Sequence, residues 1–400
     1  MVSFTPSNDP IVIVAARRTP LGAFMGAFAQ TPAPTLGAAA MRAAWADSGL
    51  GDTAPCEVVM GCVLSAGLGQ APARQATRAA GLGDAVGATT LNKVCGSGMK
   101  AVMLGHDLLS AGSANIVVAG GMEAMSGAPH LLGALRAGRK AGPAELMDHM
   151  LLDGLEDAYD KGRPMGAFGE ATAKRYGFDR ASQDAYAIRT LERAQAAVGS
   201  GGFQAECVPV DVQTRKGQIS VAQDQRPGLS DVSKIPNLRS AFGTDGTITA
   251  ASASANADGA AALVLTRHSL ARAQGLPVMA RILGHSTHAQ DPAWFTTAPI
   301  PAIRTLLDRI GWQVADVDLF EINEAFAVVA MAAAQDLGIP DDKLNVNGGA
   351  CALGHPIGAT GARLVVTLVH ALRARGLSRG VASLCIGGGE ATAIAVEIPD

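Results

Sequence analysis

The stretch Ala119-Gly-Gly-Met-Glu-Ala124 returns near the other end of the chain as Ile386-Gly-Gly-Gly-Glu-Ala391. Each copy closes a segment opened by a glycine-rich turn and a helix, Cys95-Gly-Ser-Gly in one half and Ile357-Gly-Ala-Thr-Gly in the other. A repeat this long is no solenoid unit, so it predicts two similar α/β halves. Strand-like and helix-like runs alternate in both, which argues for layers of helix around largely buried sheet. Strands are expected at 10–16, 57–60 and 114–119, the last ending before Gly120-Gly121, and again at 318–322 and 381–386. Helices are expected at 36–50 with a stop at Gly51, at 302–310 with a stop at Gly311, at 325–337 and at 363–375. Residues 125–250 differ: charge and turn residues gather at 136–139, 157–163 and 213–217, and only 182–197 reads as an amphipathic helix. That region is expected to be an inserted loop domain that covers a site or mediates assembly. The halves are then 1–124, completed by about 251–277, and 278–400.

Composition excludes several classes of function. The 400 residues carry 17% charge and a net charge of −3, so no basic field calls for nucleic acid or a membrane surface. The longest apolar run, 325–334, is shorter than the ~20 residues a membrane helix needs. The N-terminus MVSFTPSNDP has neither a basic nor an apolar targeting region, and the C-terminus carries no recognised address. Cys56, Cys62, Cys95, Cys207, Cys351 and Cys385 are scattered, with no disulfide framework and no metal spacing. Cytoplasmic thiols and no metal are expected. Glycine is in excess, 48 residues against roughly 7% in average proteins, so backbone is expected to approach backbone or ligand closely at many points.

Four places carry chemistry. Cys95 stands where a strand-like run meets the start of a helix, and a helix N-terminus should lower its pKa toward the thiolate. The same stretch fits a dinucleotide fingerprint, Gly96-x-Gly98-x-x-Ala101, with Glu123 as the acidic partner. His355 is clamped between Gly354 and Pro356, the fixed placement a general base needs, whereas His285 and His288 read as surface positions. Cys385 ends a buried strand before Gly387-Gly388-Gly389; its counterpart in the repeat is Val118, so packing does not require a thiol there. Asn323 precedes a helix and is either its N-cap or an amide that orients a water or a carbonyl.

Asn92-Lys-Val-Cys-Gly-Ser-Gly, Asn323-Glu-Ala-Phe-Ala, Gly354-His-Pro-Ile-Gly-Ala-Thr-Gly-Ala and Cys385-Ile-Gly-Gly-Gly together resemble the signature blocks of the thiolases, in order and across the whole chain. The resemblance implies an α-β-α-β-α thiolase fold and an acyl-CoA acyltransferase of fatty acid metabolism, built as a homotetramer. It implies coenzyme A thioesters as substrates and no permanently bound cofactor. Cys95 would accept the acyl group, His355 activate it, and Cys385 move the proton at C2 of the second acyl-CoA. Asn323 would hold an oxyanion-hole water, and the N–H groups of Cys95 and Gly387 would form a second hole. Ser254, Arg226, Met165, Leu155, Phe295 and Phe326 would contact the substrate: Ser254 the pantetheine arm, Arg226 the adenine end, and Phe295 the acyl pocket. The expected reaction joins two acetyl-CoA into acetoacetyl-CoA; the alternative is degradative cleavage of longer 3-ketoacyl-CoA. Departures from the family pattern are Pro164, Trp294-Phe-Thr-Thr, Ala251, Ser252, Ala255 and Glu390. Glu390 is expected either to pair near the site or only to complete the repeat with Glu123. A non-catalytic scaffold should lack a catalytic cysteine or His355, and none is missing.

Overall fold

The computed structural model describes residues 9–133, 135–138, 140–214 and 217–399. The readings of the extreme N-terminus, Arg139, residues 215–216 and Asp400 fall outside the described residues. The repeat is a repeat of topology. In the first half the strand order is Gly87–Leu91, Glu57–Gly61, Ile116–Ala124, Ala257–Arg267, Ile11–Arg18. In the second it is Leu319–Ile322, Arg379–Ile386, Glu390–Glu397, Ala280–Ala289. Each half pairs strands in parallel on its outer side and antiparallel toward the junction. The outermost strand of the second half is reduced to one parallel bridge, Phe320 to Leu344. The halves join where Ile11–Arg18 meets Ala280–Ala289, paired only through Val12 with Arg281 and Ile13 with Ala280.

Two equivalent helices, Ser97–Ser110 and Ile357–Arg375, form the middle layer and share one core cluster with both groups of strands. Ala33–Asp47 covers the outer face of the first half and Pro299–Ile310 that of the second, which completes five layers. Glycine sets how closely the middle helices meet. A Cβ on Gly98 would lie 2.8 Å from the Ala362 nitrogen, and one on Gly361 would lie 2.4 Å from the Met99 nitrogen.

The same physics corrects three element boundaries. The strand expected to stop at Ala119 runs through to Ala124. Gly120 and Gly121 are not a turn: Cβ atoms there would sit 2.1 Å from the Ala261 oxygen and 2.0 Å from the Gly358 oxygen. Close approach of backbone, not chain reversal, requires them. The helix expected at 363–375 begins at Ile357, since Pro356 fixes the first turn and the glycines lie inside it. The first helix spans Ala33–Asp47 rather than 36–50, opened by Pro34 and ended before Gly49 turns left-handed at φ +76. Substituting Gly121 with alanine must displace the Ile357–Arg375 helix start, and is expected to cost about 1–3 kcal/mol or more. A lower urea midpoint with unchanged slope would show this, and an unchanged midpoint would contradict the packing account.

The insertion is more ordered than its composition suggests. It holds the helices Met165–Tyr176 and Arg180–Gly199, the latter capped by Asp179, whose carboxylate accepts from the Ser182 N–H at 2.8 Å. Buried Arg18 anchors it to the first strand through Glu206 at 2.5 Å and Asp224 at 2.7 Å. Among the described residues, no helix is long and apolar enough to cross a membrane.

Candidate active site

The Cys95 elbow is built by three residues around it. Asn92 Oδ1 accepts from the Val94 N–H at 2.8 Å, while Ser97 Oγ accepts from the Lys93 N–H at 2.8 Å and donates to the Val94 carbonyl at 2.7 Å. These bonds hold Val94 at φ +46, a left-handed conformation that a β-branched residue adopts only under constraint. A Cβ on Gly96 would lie 2.3 Å from Ile386 Cδ1, so the elbow rests on the end of the strand that carries Cys385. The N–H groups of Gly387 and of Cys95 itself bond the Cys95 sulfur. Burial nevertheless outweighs them and pushes the thiol up to about 11. Packing around the half-buried thiol thus works against the lowering expected from the helix N-terminus and favours the neutral form at rest.

His355, the candidate base, is oriented by hydrogen bonds. The His355 N–H donates to the Ala255 carbonyl at 2.8 Å, which fixes the backbone. Its Nδ1 lies 2.7 Å from Thr360 Oγ1, and the Thr360 hydroxyl donates to the Pro356 carbonyl at 2.9 Å. With its proton committed to Pro356, the hydroxyl accepts from Nδ1–H, and Nε2 is left with a lone pair. Nε2 is buried and has no protein partner. Burial first, then the charge of Arg363, lowers the imidazole to about 3. Thr360 was not identified from sequence, although its place five residues after His355 within one rigid turn was the available signal. Thr360→Val is expected to lower kcat by about 10–100-fold with little change in KM, by analogy with loss of a group that orients a reactive imidazole. Steady-state kinetics with acetoacetyl-CoA would check this, and an unchanged kcat would remove Thr360 from the account.

Asn323 is no N-cap. Its N–H donates to the Ser383 carbonyl at 3.0 Å, and the following helix starts at Ala327 with Phe326 in the cap position. Both its amide atoms are buried without a protein partner, as His355 Nε2 is. Cys385 is fully buried; burial first, then the charge of Cys95, raises its thiol. Glu324, next to Asn323, buttresses this corner. Its carboxylate accepts from Tyr186 Oη at 2.8 Å, Thr190 Oγ1 at 2.9 Å, Asn345 Nδ2 at 2.9 Å and the Cys351 N–H at 3.1 Å. This buttress binds the inserted helix to the second half, and no local sequence pattern announces it.

Glu123 disposes of the dinucleotide reading. Its carboxylate accepts from the N–H groups of Val63 at 3.0 Å, Leu64 at 3.1 Å and Gly358 at 2.8 Å, so it is not free to hold a ribose. Burial pushes it up to about 7 against those bonds. Gly98, meanwhile, faces the neighbouring helix rather than an open phosphate site.

The expected substrate contacts divide into two groups. Leu155 packs against the cluster of Val63, Leu64, Met125, Met150 and Ile357, as Cys95 does. Met165 Cε would stand 3.4 Å from a Cβ on Gly387. Phe295 meets Phe168 edge-on at 6.0 Å and Phe326 meets Phe242 at 5.7 Å, all in the cluster that contains Cys385. The Ser254 N–H donates to the Ala325 carbonyl at 2.9 Å, which threads its segment between Asn323 and His355. Arg226 stands apart. It lines a cavity of about 230 Å³ with Ser230, Lys234, Ala251 and Cys351, four residues before His355. Glu390 is paired: its carboxylate meets the Lys93 ammonium and ties the loops of the two cysteines together.

Comparison with known proteins gives one answer. Thiolase, N-terminal domain, matches residues 11–269, and Thiolase, C-terminal domain, matches residues 276–398. An acetyl-CoA acetyltransferase of Cupriavidus necator is 47% identical over 97% of this chain and 99% of its own length. One from Escherichia coli is 47% identical over 96% of this chain and 98% of its own. The crystal structure of the Bacillus anthracis acetyl-CoA acetyltransferase superposes with a TM-score of 0.95 at 37% identity, covering 99% of this chain and all of that one.

Proposed function

Because the chain belongs to the thiolase family, we propose that it is an acyltransferase that joins two acetyl-CoA into acetoacetyl-CoA and coenzyme A, reversibly, through an acyl-Cys95 intermediate. The observation that carries this reading is that buried His355 Nε2 has no protein partner, while half-buried Cys95 and fully buried Cys385 lie close enough for each thiol to feel the other's charge. One cysteine cannot be acylated and serve as base at once, so condensation needs two.

The protons balance as follows. His355 takes the Cys95 proton as sulfur attacks the thioester carbon, and the oxyanion meets the N–H groups of Cys95 and Gly387. Coenzyme A leaves as thiolate and takes the Cys385 proton. Cys385, now a thiolate in a site that disfavours its charge, removes a proton from C2 of the second acetyl-CoA. The enolate oxygen faces protonated His355 and the Asn323 amide through its water. Its carbon attacks the acyl group, and departing Cys95 recovers its proton from His355. Cleavage is the same path reversed.

Leu155, Met165, Phe295 and Phe326 would wall the acyl pocket, Ser254 would meet the pantetheine arm and Arg226 the adenine end. Coenzyme A thioesters enter as substrates, with no permanently bound cofactor. In this reading residues 1–124 with 251–277 and residues 278–400 are the catalytic halves, and 125–250 cover the site. A cytoplasmic homotetramer serving fatty acid metabolism completes it. The aromatic wall that includes buried Phe295 favours short acyl chains over the longer substrates of a degradative thiolase. Coenzyme A-dependent cleavage assayed across acyl lengths tests the proposal. Acetoacetyl-CoA should be cleaved fastest; a preference for long-chain 3-ketoacyl-CoA would overturn the specificity, and no cleavage at any length the reaction.

A further inference from the structure

The far end of the Cys95 helix carries side chains that the reaction does not use. His106 and Asp107 lie in its third turn, and His285 reaches them from the strand Ala280–Ala289 of the other half. His285 was expected at the surface; instead it is half-buried, with Nε2 2.9 Å from Asp107 Oδ1. His106 Nδ1 approaches the same oxygen at 3.4 Å, and the two imidazole rings meet edge to face at 5.0 Å. All three ligand atoms fall within 4.8 Å of one another, the one such trio found among the described residues.

Two imidazoles and one carboxylate are a borderline-soft donor set that suits zinc and its neighbours rather than calcium or magnesium. Bonds of about 2.0–2.2 Å in a tetrahedral site place ligand atoms roughly 3.4 Å apart. The two measured separations to Asp107 Oδ1, 2.9 and 3.4 Å, already stand near that edge length. The proton between His285 Nε2 and Asp107 is what a cation would replace. One cationic neighbour, Arg309, donates to the His285 carbonyl at 2.6 Å and so is engaged on the backbone side.

We propose that His106, Asp107 and His285 form a binding site for one divalent transition-metal ion of the zinc class, which staples the nucleophile helix of one half to the sheet of the other. The location gives the staple a purpose. The sheets of the halves are joined by only two residue pairs, and His285 follows that junction by four residues on the same strand.

Chelator-treated full-length protein titrated with cobalt(II), followed by visible absorption and by thermal unfolding, tests the site. One equivalent should bind with a nitrogen-and-oxygen spectrum lacking thiolate charge transfer, and should raise the Tm by a few degrees. His285→Gln, which keeps a polar contact to Asp107, and half-exposed Asp107→Asn should each weaken binding at least about tenfold, as loss of one of three ligands requires. Circular dichroism establishes that both variants are folded. No binding to the parent chain, binding of equal strength in the folded variants, or a thiolate charge-transfer band that places the ion on cysteine would overturn the proposal.

Discussion

His355→Ala is expected to slow acylation of Cys95 by acetyl-CoA by about 10²–10⁴-fold, the usual range for loss of a positioned general base. The size follows from burial. A thiol near 11 leaves only about one sulfur in ten thousand as thiolate at pH 7, and the thiolate is the nucleophile. His355 provides the missing proton acceptor. Its own pKa gives the sign of the pH dependence. An ordinary imidazole loses its lone pair as pH falls through about 6.5, whereas His355 is held at about 3. Rapid-quench acylation rates of the parent chain should therefore change by less than about threefold between pH 7.5 and 5.5. A tenfold fall centred near the ordinary histidine value would show that the ring is solvated and not the base described here.

Cys385→Ala should separate the two halves of the reaction. Acylation should continue, because coenzyme A leaves as a thiolate with an ordinary thiol pKa near ~8.5 and can do without an acid. Condensation should fall by about 10³-fold or more, since nothing else in the cluster takes the C2 proton. Cys385 sits beside small Ala391 on the neighbouring strand, and Cys385→Ala removes a single buried sulfur atom, so truncation should leave the fold intact. Single-turnover acylation measured beside steady-state condensation would show the split. Equal losses in both steps, or near-normal condensation, would remove Cys385 from its role.

The fold was legible where one residue type has one use. Gly311 at φ +73 ends its helix as read, and the alternation of strands and helices gives the two halves. Sequence failed where glycine has two uses. Gly120 and Gly121 look like a turn but pass straight through a strand, because the reason for their missing side chains is the Gly358 oxygen, distant in sequence. The candidate catalytic positions stood out because Cys95 and His355 stand in glycine-rich turns and Cys385 lies at a strand end just before three glycines. Their electrostatics did not. The helix N-terminus predicts an acidic thiol at Cys95, while enclosure by the other half, invisible to local pattern, raises it. Glu324 and the Lys93–Glu390 pair were missed or left open for the same reason: each acts through a partner that only the assembled fold brings near, whereas Thr360 was overlooked although its partner His355 is five residues away.

The central claim is that acyl transfer passes through the Cys95 sulfur. Peptide mass spectrometry after brief exposure to acetyl-CoA tests it most directly, on the parent chain and on Cys385→Ala. The account predicts one acetyl group on the peptide containing Cys95 in both, accumulating further in Cys385→Ala, where condensation cannot discharge it. An acetyl group on any other cysteine, or none on Cys95 while condensation proceeds, would contradict it.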